Sequence, residues 1–489
     1  MAAISSLGIG SGLDLNTLLS GMKTAEQIPL AAIQKQQTSY TTKLTAYGQL
    51  SSTLSTFQSA AAALAKPELY QGVKASSTAT DVVTATALST ASSGTYKLDV
   101  TQLSQAQSLA TAGQVDKTTN IGAGTAATRV TFEFGTTSGT SFSLDADLTR
   151  TKFIDIDPAE SSLADIAKKI NDTADLGVTA SIVNDGAASP YRLVLTSTKT
   201  GEASSMRISV SGDPVITDPP ANPAPAYSAL SALLTNDPVA GRNLQQTVAA
   251  QNTELTVNGI GVTSASNSVA GAISDVTLDV SKVGTTTLSV KSDTDSVKSV
   301  ISDFVSAYNN LQTVAKRLTA YDASSKSGAV LLGDSTLRNI LIGIRSALTT
   351  AQADHVSGLK TLSQMGVSFE KDGTLAIDPA MLTAALGSKM GGVANLFSGS
   401  TSSYGTKMSS LIDSYINTTG GVLTAATKGI KTTLDVLGKQ YTATSERADA
   451  TVERYKAQFT QLDVMMSRMN QTSSYLTQQF DAINNSSKK

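Results

Sequence analysis

His355 is the only imidazole in this chain of 489 residues. It lies in Ala353-Asp354-His355-Val356-Ser357-Gly358, between two helical patterns. Without cysteine there is no disulfide, no thiolate metal site and no cysteine nucleophile. One histidine excludes a multi-histidine metal site within one chain. Composition leaves a Ser-His-Asp arrangement open, but no G-x-S-x-G elbow is present. His355 is therefore read as a turn histidine. Gly8, Gly10 and Gly12 are spaced G-x-G-x-G, with no preceding strand and no following Lys-Ser/Thr, so they do not make a phosphate loop. Asp372-Gly373 and Asn184-Asp185-Gly186 lack the flanking ligand series of a metal loop and read as turns. Asp293-Thr294-Asp295 reads as the cap of a helix starting near Ser296. The chain is expected not to be an enzyme and to hold no cofactor or metal.

The residues that carry a strong pattern are apolar. Val452, Tyr455, Phe459, Leu462, Met466, Met469, Leu476, Phe480 and Ile483 recur at steps of three and four, with Ser473 the one gap. This is the heptad of a helix whose narrow stripe meets another helix. No Pro follows Pro379 and no Gly follows Gly438 to interrupt it. A second series begins after Pro29, a residue suited to a first helical turn. It runs through Ile33, Gln37, Tyr40, Leu44 and Tyr47, shifts phase to Leu50, Leu54, Phe57, Ala61 and Leu64, and stops at Pro67. Two narrow stripes at opposite ends of one chain predict that the helices pair and bring the termini together. The section 470–489, beyond the Ser473 gap, is expected to order only on docking. Residues 1–28 read as an arm with a short apolar helix.

Between these helices the period changes. Val82 to Leu88 and Tyr96 to Val100 alternate as strands around Ala91-Ser92-Ser93-Gly94, as in a hairpin. Residues 129–134, 153–156, 178–183 and 192–195 continue the strand pattern. Leu163, Ile166, Ala167 and Ile170 form one helix face, with Ser161 or Ser162 as its N-cap. Five of the eleven prolines fall between Pro214 and Pro225, which marks a loop. Strands resume at 254–260, 276–280 and 288–290. Wide apolar helix faces follow at Val297–Leu311 and Thr336–Leu348, then a small hairpin around Lys371-Asp372-Gly373.

The order is nested. It predicts an α+β multidomain chain: a terminal α-helical coiled-coil stalk, a helical domain, and two nested β-rich domains at the far end. The expected divisions are 1–42 with 446–489 (arm and coiled-coil leg), 43–71 with 296–445 (helical), 72–113 with 243–295 (β-rich), and 114–242 (inserted β/α head). Aromatic residues are 5% and charged residues 16%. Both are low, so the cores should be thin. The formal net charge of −2 argues against nucleic-acid binding. No apolar run is long enough to span a membrane, and the start of the chain lacks the pattern of a secretory signal.

Several stretches together resemble the flagellar hook-associated protein 2 family, the bacterial filament capping proteins. They are Ile4-Ser5-Ser6-Leu7-Gly8-Ile9-Gly10-Ser11-Gly12-Leu13-Asp14-Leu15, Glu26-Gln27-Ile28-Pro29-Leu30, Thr256-Val257-Asn258-Gly259-Ile260, Phe304-Val305-Ser306-Ala307-Tyr308-Asn309, Leu332-Gly333-Asp334-Ser335-Thr336-Leu337-Arg338, and Arg454 to Asp463 followed by Ser474-Tyr475-Leu476. Ser162 to Asn171 resembles a module shared among flagellins and hook-associated proteins. The resemblance implies a structural protein exported unfolded through the flagellar type III pathway, without a cleaved signal, to the filament tip outside the cell. It implies a homo-oligomeric ring, a pentamer among the stoichiometries left open. It also implies contacts with flagellin, with the hook-associated junction proteins, and with an export chaperone at the C-terminal region. Such a ring retains exported flagellin and promotes its folding and insertion. The assembly seam would then be Ile33, Tyr40, Leu44, Tyr47, Leu54, Val452, Tyr455, Phe459, Leu462, Met466, Met469, Leu476, Phe480 and Ile483. Rival readings are a filament-junction hook-associated protein, an extracellular adhesin that binds glycans through residues 114–242, and a hydrolase built on His355.

Overall fold

The computed structural model describes residues 12, 14–122, 126–212, 229–352, 358–399 and 402–486. His355, Gly8, Gly10 and the proline-rich segment 214–225 lie outside these. In chain order the elements are α1 (Leu15–Leu64), then β1 (Val73–Ser77), β2 (Val83–Ala87), β3 (Gly94–Gln102), β4 (Ser108–Ala110), β5 (Thr128–Ser138), β6 (Ser141–Leu144), β7 (Lys152–Ile156), α2 (Leu163–Asp172), β8 (Val178–Asn184), β9 (Tyr191–Ser197) and β10 (Ser205–Ser211). There follow α3 (Ala229–Leu234), β11 (Asn236–Asp237), β12 (Gly241–Arg242), β13 (Gln245–Val248), β14 (Thr253–Val257), β15 (Ile260–Ser264), β16 (Ser268–Ile273), β17 (Val276–Val280) and β18 (Gly284–Ser292). The chain closes with α4 (Thr294–Thr319), β19 (Tyr321–Asp322), β20 (Ser327–Gly328), α5 (Ser335–Thr349), β21 (Val367–Phe369), β22 (Leu375–Ile377), α6 (Pro379–Ser388), α7 (Met390–Ser398), α8 (Tyr404–Ile416) and α9 (Val422–Ser486). Two compact units result, residues 1–70 with 294–489, and residues 71–293.

The first unit is helical. α1 starts where the Asp14 carboxylate accepts from the Thr17 amide at 3.0 Å, and it ends before Pro67. The Tyr70 hydroxyl donates to the Leu64 carbonyl at 2.8 Å, satisfying one orphan acceptor of the last turn. Pro29 does not begin this helix. It sits inside it. Both Pro29 and Ala25, whose carbonyl loses its usual amide partner, are on the exposed side, where solvation offsets the missing bond. The C-terminal half of α1 enters an aromatic core. Phe57 lies 5.1 Å from Phe304 and 5.7 Å from Tyr308, and Phe397 meets Phe304 edge-on at 6.2 Å. Gly405 of α8 presses directly on this helix. A Cβ there would stand 2.9 Å from the Ala65 nitrogen and 2.6 Å from the Phe397 carbonyl oxygen. α4 begins at Thr294, two residues before the expected start.

The second unit holds two apolar cores. In one, the sheet β1-β18-β3-β14-β15 faces the sheet β16-β17-β2 across Leu98, Val100, Leu255, Leu278 and Leu288. The expected hairpin between β2 and β3 is absent. β2 pairs with β17, and β3 with β18 and β14. The link 88–93 crosses between sheets, so the two strands stack rather than pair. The expected strand 254–260 is itself a hairpin. β14 and β15 turn at Asn258 (φ 50°) and Gly259 (φ 83°), the left-handed pair of a type I′ turn. In the other core, β5 with its neighbours β10, β6 and β7, the sheet β13-β4-β9-β8, and α2 enclose Phe132, Phe134, Ile166, Ile170 and Leu193. Ser162 caps α2, its hydroxyl accepting from the Asp165 amide. Leu109 and Leu244 belong to this core, so the inserted body draws in β4 and β13 from outside 114–242. Three-residue β4 carries too little alternation to reveal this.

Candidate assembly surface

Leu423 and Ile430 of α9 share the core with residues 46–64 of α1, while farther along α9 a Cβ added at Gly438 would stand 4.0 Å from the Gln37 side-chain nitrogen. The two helices therefore run antiparallel. At equal rise per residue, Leu15 lies level with about residue 460 of α9. α9, roughly 100 Å long at 1.5 Å per residue, continues well past the first residue of α1.

This register sorts the candidate seam into three groups. Tyr47 and Leu54 form the first group. Both are buried in the core of the helical unit, where α1 changes from one neighbour, α9, to several, including α4 and α8. Ile33, Leu44, Val452, Tyr455, Phe459 and Met466 are half-buried, with Tyr40 exposed beside them. Here the Tyr455 and Phe459 rings stack at 6.4 Å. Leu462 is 39% exposed, Met469 59%, Leu476 47%, Phe480 62% and Ile483 57%. Every side chain from Arg468 to Asn484 is exposed. α9 nevertheless stays helical to Ser486, across the Ser473 gap. Its free end presents one apolar strip, Met465, Met469, Leu476 and Phe480, along a shallow groove. A single helix cannot bury such a strip by itself.

Where α1 leaves the core, one carboxylate fastens it. Asp334 accepts from the Tyr47 hydroxyl at 2.7 Å, pairs with Lys43 at 2.8 Å, and caps α5 by accepting from the Leu337 amide at 3.0 Å. Burial pushes the Asp334 carboxyl up, but the bonds from Lys43, Leu337 and Tyr47 outweigh it and hold the group below its usual value. The bond to Asp334 raises the Lys43 ammonium, and burial raises the Tyr47 phenol. Nothing in the sequence spacing pointed to this triad. Its only local signal is Asp334 standing before an apolar helical face, as an N-cap does.

Among the described residues no group of His, Cys, Asp or Glu is arranged to hold a metal, and no helix is long and apolar enough to cross a membrane. The chain thus combines two long antiparallel helices, one with an exposed apolar end, and a separate β-rich unit. Comparison with known proteins identifies the kind. Residues 11–107 match the family described as flagellar hook-associated protein 2 N-terminus, residues 250–471 its C-terminus counterpart, and residues 130–199 the flagellin hook IN motif. The flagellar hook-associated protein 2 of Escherichia coli K12 is 41% identical over 501 residues, covering 100% of both chains. That of Salmonella typhimurium is 40% identical over 500 residues, covering 99% of this chain and 100% of its own. The crystal structure of the E. coli flagellar cap protein FliD, domains D1-D2-D3, superposes with a TM-score of 0.59 at 36% identity, covering 79% of this chain and 99% of that one. The chain belongs to the flagellar hook-associated protein 2 family, a family of structural flagellar cap proteins.

Proposed function

We propose that this protein caps the distal end of the bacterial flagellar filament. It assembles with copies of itself into a ring, retains exported flagellin beneath that ring, and promotes its folding and insertion into the growing filament. The observation that carries this reading is the exposed apolar strip at the end of α9, from Met465 to Ile483. Burying each large side chain of such a strip contributes about 1–2 kcal/mol. A few of them hold a leg on a neighbouring subunit, yet no single one traps it, which suits a cap that must step as subunits are added. The seam residues Tyr455, Phe459, Leu462, Met466, Met469, Leu476, Phe480 and Ile483 are then the contacts with flagellin and with neighbouring cap subunits. The same C-terminal region is offered to an export chaperone before the protein leaves the cell, and the cap meets the hook-associated junction proteins before the filament grows.

The test is a Leu476→Asp, Phe480→Asp double variant of the full chain. Both side chains are free in the monomer, so its thermal unfolding should match the parent. Filaments should fail to elongate, with flagellin lost to the medium. Normal filaments would overturn the reading.

A further inference from the structure

We propose that Met465, Met466 and Met469 of α9 are an oxidation-sensitive site, at which a peroxide turns the apolar strip polar and switches assembly off. The inference rests on the reading of that strip as an assembly surface. Three of the ten methionines of the chain fall within these five residues, so the strip opens on thioethers where a helical seam ordinarily carries leucine. Met465 is 61% exposed and Met469 59%, and both line the groove with Leu476 and Phe480. Met466, seven residues after Phe459, is half-buried beside them. Other methionines are shielded. Met206, Met365 and Met408 are fully buried, and Met22 and Met390 half-buried. Met381 is 47% exposed, but it stands on α6, whose Leu382 and Leu386 belong to the helical core. The chain has no cysteine to consume an oxidant first.

An unbranched, polarisable side chain adapts to partners of different shape, which suits a strip offered to more than one of them. The same sulfur is a nucleophile. Its lone pair attacks one oxygen of the peroxide, the O–O bond breaks and an S–O bond forms. Proton transfer to the departing oxygen releases water. Sulfur gives up two electrons and the peroxide takes them. The sulfoxide is polar, and docking must strip its water without supplying a donor, so affinity falls on the order of tenfold per site. A methionine sulfoxide reductase drawing on a dithiol removes the oxygen as water and restores the strip.

The test treats the full chain with hydrogen peroxide and locates each sulfoxide by peptide mass spectrometry. Met465 and Met469 should oxidise roughly tenfold faster, or more, than Met206, Met365 and Met408, with thermal unfolding unchanged. Filaments supplied with the oxidised protein should fail to elongate and should recover after treatment with the reductase and its dithiol. A Met465→Leu, Met466→Leu, Met469→Leu variant keeps volume and apolar character. It should support elongation before and after peroxide, whereas Met381→Leu should behave as the parent. Even oxidation across all methionines, elongation by the oxidised parent, loss of elongation by the oxidised triple variant, or equal protection by Met381→Leu would each overturn the proposal. The Leu476→Asp, Phe480→Asp variant keeps the two readings apart. If it blocks elongation while the oxidised parent does not, the strip is an assembly surface and the oxidation site alone fails.

Discussion

Asp334 holds three donors from two helices and has almost no access to water, so its loss has a definite size. Asp334→Ala removes the cap of α5 and leaves Lys43 and Tyr47 without their acceptor. It should destabilise the helical unit by about 2–3 kcal/mol in urea unfolding. Asp334→Asn keeps a capping oxygen and should recover part of that. The pH dependence follows from the direction of each shift. The carboxyl lies below its unfolded value, so its stabilisation is complete above about pH 4 and fades as pH falls through the folded value. Lys43 lies above its unfolded value, so its share is complete below about pH 10.5 and is lost as pH rises further. The stability gap between parent and Asp334→Asn should therefore be flat across neutral pH and close in acid. A gap independent of pH would mean that the ion pair contributes nothing.

Among the elements, the hairpin of β14 and β15 has the most local determinant. Asn258 and Gly259 both take positive φ, and only glycine does so without strain. Gly259→Ala should lower stability of the 71–293 unit by about 1 kcal/mol, read by denaturant unfolding, because no neighbour within 4 Å adds a clash. The Asn-Gly signal was present in the sequence but lay hidden in an unbroken run of strand formers. The long helices were legible for a different reason. Where α1 touches only α9, one narrow stripe suffices, and a three-and-four spacing records it. The same spacing continues through Tyr47 and Leu54, although there it faces several helices, so the stripe alone could not separate leg from core. Alternation likewise marked β2 and β3 as strands but carries no record of which partner each takes. The Lys43–Asp334 pair spans nearly three hundred residues of chain, a distance at which no sequence period exists.

At the scale of the whole molecule, the two units have separate apolar cores. Calorimetry should resolve more than one transition. Phe57→Ala, which empties the aromatic centre of the helical unit, costs about 3–5 kcal/mol and should shift one transition while leaving that of residues 71–293 in place. A uniform shift of all transitions would show that the units unfold as one.

The partners of α1 have a consequence for the order in which the chain acquires structure. Phe57 needs Phe304 and Tyr308, and the core that surrounds it is completed only by Phe397, Tyr404 and Leu423. A chain delivered from its first residue onward must keep α1 uncommitted until nearly three-quarters of its length has followed. Residues 71–293 need nothing from beyond themselves to close their own cores. When the extended chain folds from its first residue onward, the unit in the middle of the chain is therefore expected to mature first, and the two ends to meet last.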